Sequence, residues 1–257
     1  MLNNPYFLTL LISFGINIFF FIFAAAFKTD KLTDLSYGLS FVILTLFLLI
    51  INPNIQPLQL IVALLIIVWG IRLISYLFIR ILKIKKDTRF DKIRNKPLEF
   101  VKFWLFQALA VWIILLPAST LLTTEIKTGF SLVSSIGIII FIIGLTIEAA
   151  ADWQKFTFKN QPENKNKWIQ SGIWKYSRHP NYFGEMTLWW GIFVACSPIF
   201  SHWQWLTITG PIFITFILLF VSGIPPLEKR YQKKYTNNQE YQEYKNRTSL
   251  LVPLPRR

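Results

Sequence analysis

The sequence is poor in the side chains that form disulfides and bind metals. Its 257 residues include one cysteine, Cys196, and two histidines, His179 and His202. A disulfide within the chain, a CxxC redox pair and a cysteine-based zinc site each need a second thiol, so all three are excluded within one chain. Two histidines also fall short of a histidine-rich metal site, and we expect no metal cofactor.

Charge is scarce as well, and it is unevenly distributed. Charged residues make up 16% of the chain, against about a quarter in ordinary soluble domains. Lys and Arg number 27 and Asp and Glu 13, so the net charge is +14. The basic residues fall in short links between apolar runs and follow no DNA- or RNA-reading motif, so we expect no nucleic-acid partner.

Hydrophobic residues account for 53% of the chain, in runs that approach the roughly 20 apolar residues a membrane crossing needs. The sequence therefore predicts an all-α, polytopic transmembrane helical bundle that forms one membrane domain over residues 1–257. The first run lacks the basic start and the cleavage site of a signal peptide, so we expect it to be retained. The predicted spans, about seven in number, are 6–26, 35–51, 58–82, 99–121, 130–151, 183–200 and 204–223.

The basic residues also orient the predicted bundle. Outside the spans, Lys and Arg concentrate in alternate links and in the tail, including a cluster at 83–96, whereas the opposite links carry Lys127 alone. By the positive-inside rule, the N-terminus lies outside and the C-terminus lies in the cytoplasm. The link 152–182 and the amphipathic tail 225–257 are then cytoplasmic. We expect the tail either to lie along the membrane surface or to fold back over that link.

Polar side chains gather in the link before the sixth span. Lys155 and Lys159 are four residues apart, so they share one face of a helix end and can hold phosphates. Arg178 offers a planar fork for phosphate or carboxylate. Asn181 and Tyr182 stand where the positive end of the next helix also favours an anion. The pattern predicts an anion site, and the alternative is a positive-inside link with an interfacial aromatic belt.

The residues from Ser171 to Glu185 resemble the signature of the steroid 5α-reductase and sterol reductase superfamily, roughly S-G-W-W-G-x-x-R-H-x-N-Y-x-G-D. The stretch 154–159, Gln-Lys-x-x-Phe-Lys, is similar to the Q-K-x-x-F-R element of the same enzymes. Over roughly residues 30–255 the chain looks most like a bacterial branch that is catalogued as a domain of unknown function, DUF1295. Further counterparts in that branch are Trp69, Gly70, Arg72, Leu73, Arg80, Asp87, Arg89, Phe90, Glu228, Tyr241, Tyr244 and Pro253.

The resemblance implies an NADPH-dependent enzyme that reduces a carbon–carbon double bond in a lipid or steroid-like substrate. NADPH would lie between helices in the cytoplasmic half of the bundle, since the chain has no GxGxxG fingerprint. Glu185, one turn into the sixth span, would accept hydrogen bonds from ribose hydroxyls. Carried over residue by residue, the cofactor contacts are Lys155, Lys159, Trp174, Arg178, His179, Asn181, Tyr182 and Glu185.

The third span supplies a second set of polar residues. Arg72, Tyr76 and Arg80 follow at intervals of four and lie along one stripe of a helix. An Arg as deep as Arg72 faces a partner or a water-filled cavity, so it is either a substrate-site residue or half of a structural ion pair, with Glu148 as a candidate partner. Arg80 is shallower, and it either belongs to the substrate site or snorkels to the interface.

Reduction of an enone also needs a proton donor next to the substrate. Tyr76 and Glu148 are the best physical candidates for this catalytic role, because burial favours the protonated form of a carboxyl group.

Two other functions stay open. Isoprenylcysteine carboxyl methyltransferases, which use S-adenosylmethionine, share the architecture and an R-H-P-x-Y element that residues 178–182 also satisfy. The paired cations Lys155 and Lys159, together with Asn181, favour the reductase. A non-enzymatic lipid-binding membrane protein is the third interpretation, and the concentration of polar groups on one membrane face argues against it. The bacterial resemblance favours a bacterial inner membrane over the endoplasmic reticulum.

Overall fold

A computed structural model describes residues 4–29, 31–84, 96–125 and 130–255. Over these ranges the regular structure is helical, apart from an isolated bridge between Ser177 and Ser249, which confirms the all-α prediction. The helices are α1 (Pro5–Ala26), α2 (Lys31–Ile51), α3 (Pro57–Ile84), α4 (Pro97–Thr123), α5 (Leu132–Asn160), α6 (Pro180–Cys196), α7 (Thr209–Phe216), α8 (Ile224–Lys234) and α9 (Gln239–Arg247).

Within the described ranges, 6 helical segments are long and apolar enough to cross a membrane, as expected of an integral membrane protein. They correspond to predicted spans with displaced ends: Pro5–Ala26, Lys31–Ile51, Pro57–Ile81, Pro97–Thr123, Leu132–Asn160 and His202–Lys234. The remaining predicted span, 183–200, corresponds to α6, whose 17 residues are fewer than the roughly 20 of a usual crossing helix. The count of seven spans and the orientation therefore stay predictions.

Part of the charge pattern behind the predicted orientation cannot be placed. Lys127 and residues 85–95 of the basic cluster lie outside the described residues, as do Asp87, Arg89 and Phe90 of the resemblance. Arg256 and Arg257 at the end of the tail also lie outside them.

A large displacement of a helix end occurs at α5. This helix continues through the polar stretch 152–160, so the first part of the predicted link is helical. Gln154, Lys155 and Lys159 are good helix formers, and their polar ends do not interrupt a helix that has left its apolar run. The link proper runs from 161 to 179 and contains two short 3₁₀ turns, Pro162–Asn164 and Gly172–Lys175.

The last apolar segment changes its helical geometry along its length. A 3₁₀ stretch, His202–Ile208, precedes α7, and a π-helical turn, Ile217–Val221, follows it. The chain then bends at Gly223 before α8 begins. A Cβ atom at Gly223 would lie 2.5 Å from the carbonyl oxygen of Leu218, so this bend requires a residue without a side chain.

The chain divides into two compact units. The first unit comprises Met1–Ser135 and Ile192–Gly210, and the second comprises Ile136–Gly191 and Pro211–Arg257. The candidate cofactor residues of the link and the whole tail belong to the second unit. The prediction of one membrane domain is not tested by this division and stays a prediction.

A buried polar network joins helices α1, α2 and α4 of the first unit. Gln107 Nε2 donates to Asn17 Oδ1 at 2.9 Å and to Ser36 Oγ at 2.8 Å. Asn17 Nδ2 in turn donates to Ser40 Oγ at 3.3 Å. Lipid tails are as apolar as leucine, so burial alone does little to pair helices in a membrane, and interhelical hydrogen bonds add specificity. This network therefore fixes the register of the three helices.

Helices α5 and α6 of the second unit approach each other backbone to backbone through glycines. A Cβ atom added to Gly144 would lie 2.5 Å from the backbone nitrogen of Leu188, and one added to Gly184 would lie 2.6 Å from that of Glu148. Gly191 meets the backbone of Phe141 in the same way. Small residues at such contacts let membrane helices pack closely. The packing places the start of α6 next to the last turns of α5.

Candidate functional site

The link is fastened to the C-terminal end of α5 by side chains of the recognisable motifs. Gln154 Oε1 accepts from the backbone nitrogen of Ile173 at 3.0 Å, and Trp174 Nε1 donates to the carbonyl oxygen of Ala151 at 3.0 Å. Gly172 has a φ of 59°, and a Cβ atom there would collide with the Gln154 side chain. The Gln and the Gly of the motifs therefore shape the link, because only glycine adopts this backbone without strain next to that amide.

The tail folds back over the link, which is one of the two arrangements predicted for it. Arg178 N donates to the carbonyl oxygen of Ser249 at 2.9 Å, and Ser177 Oγ donates to that of Leu251 at 2.6 Å. On α9, the hydroxyl of Tyr244 donates to the carbonyl oxygen of Trp174 at 3.0 Å. The tail thus forms one wall of the site that the link begins.

The centre of the site is a carboxylate shared by two neighbouring bases. Glu228, on α8, accepts from Arg178 Nη1 at 2.5 Å through Oε2. Its other oxygen, Oε1, lies 2.8 Å from His179 Nε2. The side chains of Arg178 and Glu228 are 12% and 21% exposed, and that of His179 is 2% exposed. Low exposure strengthens these charge-assisted contacts relative to those of surface ion pairs.

Sequence reasoning did not assign Glu228 to the site, although it noted the residue as a counterpart in the resembling branch. The available signal was an isolated carboxylate among the basic residues of α8, two positions after Pro226. No spacing rule connects that position to Arg178 and His179, which lie on another element.

His179 is held as a largely buried imidazole. Burial is the largest influence on its pKa and lowers it from the usual value, while the hydrogen bond to Glu228 acts in the opposite direction. The ring stacks on Tyr182, with centroids 5.7 Å apart and an interplanar angle of 11°. Its Nδ1 atom is buried and has no hydrogen-bond partner among the described residues. His179 is therefore favoured in its neutral form, with one ring nitrogen engaged and the other not.

A small cavity adjoins Arg178 and Glu228. Its volume of about 20 Å³ has room for one water-sized molecule. Aromatic rings form most of its wall, and its three tyrosines all come from the tail. Burial raises the pKa of Tyr241 to about 12, so this phenol stays protonated and neutral. The residues that line the cavity are Trp168, Ile169, Trp174, Arg178, Glu228, Tyr231, Tyr241 and Tyr244.

Two cations lie against rings of this aromatic wall. Lys155 Nζ lies 4.6 Å from the centre of the Trp174 ring, and the guanidinium carbon of Arg230 lies 5.7 Å from that of the Tyr231 ring. Lys159 has a different role from its helical neighbour, because its ammonium group donates to the carbonyl oxygen of Lys167 at 2.5 Å. Of the predicted lysine pair, Lys155 thus lies at the cavity wall, and Lys159 ties the link to α5.

The remaining candidates of the second unit lie on α5 and at the start of α6. Asn181 Oδ1 is buried and has no hydrogen-bond partner among the described residues. Glu185 follows one turn later and is partly buried. Glu148 is 3% exposed, and its backbone faces Gly184 across the glycine contact. The structure thus brings Glu148 close to the first turns of α6.

The third-span residues belong to the first unit. Arg80 forms an ion pair with Asp34 of α2, with Nη2 and Oδ2 2.8 Å apart. Both side chains are about a quarter exposed, so Arg80 reaches a carboxylate partner instead of snorkelling alone. Arg72 and Tyr76 lie on the same helix, and their assignments as a substrate-site residue and a catalytic residue stay predictions.

The part of the chain that the structure describes contains no preformed metal site. There, no three His, Cys, Asp or Glu side chains come together in a way that could hold an ion. The groups that the structure brings together around the Glu228 carboxylate are the Arg178 guanidinium, the His179 imidazole and aromatic rings.

A family model for proteins of unknown function, DUF1295, matches residues 20–248. The chain belongs to this family, as the motifs of the link and the tail led us to expect. Comparison with curated proteins and with solved structures gave no match. The family description names no activity.

Proposed function

We propose that this protein is an NADPH-dependent reductase of a carbon–carbon double bond in a lipid or steroid-like substrate, in the manner of the steroid 5α-reductase and sterol reductase superfamily. The observation that supports it best is a pair of unsatisfied donors at one cavity. Arg178 Nε and Trp168 Nε1 are buried without acceptors among the described residues, and both side chains line the cavity. A buried donor without an acceptor costs about 1–3 kcal/mol. A ligand oxygen that accepts the hydrogen bond would remove this cost.

The charge around the cavity favours an anionic ligand. Arg178, Lys155 and Arg230 lie at or behind its wall, and Glu228 is the carboxylate among its lining residues. A low-dielectric site with an excess of cations attracts phosphate more strongly than it attracts a neutral molecule. The phosphates of NADPH are the match among the cofactors considered.

The side-chain types at the site match the chemical groups of NADPH. Arg178 and Lys155 would hold phosphate oxygens, and Lys159 would add a further positive charge. His179, Asn181, Tyr182 and Glu185 would receive the hydrogen-bonding groups of the cofactor, and Trp174 would offer a flat apolar face. When bound, NADPH supplies the hydride for the reduction. All other steps depend on side chains that orient the ligands and exclude water.

The cavity is far smaller than NADPH. A volume that fits one water cannot admit a nicotinamide or an adenine ring, so binding requires the aromatic side chains that line the cavity to move. Changes of side-chain rotamer on binding are common even where the backbone moves little. Tyr76 and Glu148 stay the proposed proton donors, and Arg72 stays a proposed substrate-site residue.

A methyltransferase that uses S-adenosylmethionine is the second candidate, and one observation favours it. Trp168, Tyr231, Tyr241 and Tyr244 line a cavity together with the Glu228 carboxylate. Aromatic walls of this kind bind positively charged methylated groups through their ring faces, and a sulfonium is such a cation. The excess of cations at the cavity wall argues for the reductase, since NADPH carries phosphates and S-adenosylmethionine carries none. The third candidate, a lipid-binding protein without catalysis, lacks a specific supporting observation.

The membrane topology that we propose is the one predicted from the sequence. With α6 counted as a short crossing helix, the chain has seven spans, with its N-terminus outside and the link and tail in the cytoplasm. The 17 residues of α6 extend about 26 Å, which nearly matches the roughly 30 Å hydrocarbon core. This orientation puts the site on the side where NADPH is found. The resemblance to the bacterial branch favours the inner membrane of a bacterium.

Thermal unfolding of the full chain in detergent separates the three candidates. A ligand at about 100 times its Kd stabilises the native state by about 2.7 kcal/mol and raises the melting temperature. We expect NADPH to raise it, NADH to raise it less, and S-adenosylmethionine to leave it unchanged. Stabilisation by S-adenosylmethionine alone would replace the reductase by the methyltransferase. No effect of any of the three would favour the lipid-binding protein.

A further inference from the structure

The shared carboxylate of Glu228 constrains the protonation of His179. An ionised carboxylate only accepts hydrogen bonds. Glu228 Oε1 lies 2.8 Å from His179 Nε2, so a neutral imidazole must carry its proton on Nε2. The second oxygen of Glu228 is held by Arg178 Nη1, which fixes the orientation of the carboxylate. The proton of His179 is thereby assigned to one ring nitrogen.

This assignment turns Nδ1 into a hydrogen-bond acceptor. Nδ1 is buried without a partner among the described residues, and so is Asn181 Oδ1 two residues later in the chain. The charged groups that act on His179 are Glu228, Lys155 and Arg178. Burial, the largest influence, lowers the pKa of His179 and so keeps the ring neutral near pH 7. The ring therefore presents a lone pair that needs a donor.

We infer that Glu228 is a positioning residue: it fixes the Nε2–H tautomer of His179, so that Nδ1 accepts a hydrogen bond from an N–H or O–H group of the bound cofactor. The inference rests on the proposed function for the identity of the ligand. The donors that NADPH offers are its ribose hydroxyls, its carboxamide N–H groups and the exocyclic amino group of its adenine. The tautomer itself depends on the protein alone and can be measured without any ligand.

The chain is well suited to this measurement because it has two histidines. His202 is exposed and has a positive φ of 44°, a conformation that Asn tolerates, so His202→Asn leaves His179 as the one imidazole. Nitrogen NMR of the histidine-labelled full chain in detergent then reports the protonation of each ring nitrogen. We expect Nε2 to carry the proton and Nδ1 to carry none at pH 7.5.

Glu228→Gln provides a directional test. The amide oxygen of Gln can still accept from Arg178, while its NH₂ group would donate to His179 Nε2. The proton of the ring must then move to Nδ1, so the two nitrogen signals exchange character. Glu228→Asp, which keeps a carboxylate, should restore the original tautomer. Glu243→Gln, at an exposed position of α9, is the matched control and should change nothing.

Addition of NADPH completes the experiment. We expect the Nδ1 signal of the His202→Asn protein to shift toward the hydrogen-bonded position, and Glu228→Gln to weaken NADPH binding about tenfold. An Nδ1–H tautomer in the parent protein, or an unchanged tautomer in Glu228→Gln, would overturn the positioning role. If NADPH raises the melting temperature but shifts neither nitrogen signal, the contact between Nδ1 and the cofactor is overturned while the proposed cofactor stands. If NADPH neither raises the melting temperature nor shifts a signal, the proposed cofactor is rejected.

Discussion

The Nε2 atom of His179 lies 2.8 Å from Oε1 of Glu228, although 49 residues separate the two in the chain. This contact joins the recognisable motif of the link to the tail, and the same carboxylate holds Arg178. It explains why the tail is part of the candidate site. It also makes the stability of this region depend on the protonation of one imidazole.

The first prediction concerns pH. Burial lowers the pKa of His179 in the folded protein below its usual value of about 6.5. The unfolded chain therefore binds a proton more readily than the folded one as the pH falls through 6.5. The contribution of His179 to stability is complete above this value and is lost as the pH falls below it. We expect the melting temperature in detergent to fall between pH 7.5 and pH 5.5.

The two histidines provide matched variants for this test. His179→Asn should flatten the dependence of the melting temperature on pH over this interval, whereas His202→Asn should retain it. Equal slopes for His179→Asn and the parent protein would show that another group is responsible.

The second prediction concerns the packing of α5 on α6. Gly184→Ala places a Cβ atom against the backbone of Glu148, and overpacking of this kind typically costs about 1–3 kcal/mol. The melting temperature should fall, and the start of α6 should move. Gly15→Ala is the control, because a Cβ atom at Gly15 meets nothing within 4 Å and alanine is the better helix former. A stability for Gly184→Ala equal to that of Gly15→Ala would contradict the close contact.

The third prediction concerns the polar network of the first unit. Gln107→Leu removes hydrogen bonds to Asn17 and Ser36 and leaves their buried groups with fewer partners. Interhelical hydrogen bonds in membranes average about 0.6 kcal/mol, and this amide makes several, so we expect a loss of about 1–2 kcal/mol. Detergent unfolding measures the loss. Ser75→Ala is the control, since Ser75 is exposed and bonds within its own helix, and a comparable loss there would refute the role of the network.

The sequence predicted the helical class and most of the spans, because apolar length alone decides whether a helix can cross a membrane. It also selected Arg178 and Asn181 as candidate site residues, since charged and polar types at a helix start are unusual enough to stand out, whereas His179 was selected through the resemblance of the motif. It placed the end of α5 too early, because polarity marks the membrane boundary and does not end a helix. The reverse occurs at α6, where the predicted apolar span 183–200 extends beyond the helix, which ends at Cys196.

Pairings across the chain were beyond sequence reasoning. Glu228 had no periodic relation to the link, and the ion pair of Arg80 with Asp34 joins helices whose facing could not be read from spacing. The different contacts of Lys155 and Lys159 were not predicted, for a similar reason. Their shared helix face was predicted, but the link residue Lys167, which binds Lys159, could be placed only by the fold.

The most direct test of the central claim is a calorimetric titration of NADPH into the full chain in detergent. We predict saturable binding that Arg178→Ala weakens at least tenfold, because a buried charged hydrogen bond contributes about 1.5–3 kcal/mol. Lys233→Ala, which removes one positive charge from an exposed position of α8, should bind as the parent does. The absence of NADPH binding, or an unchanged affinity in Arg178→Ala, would contradict the account.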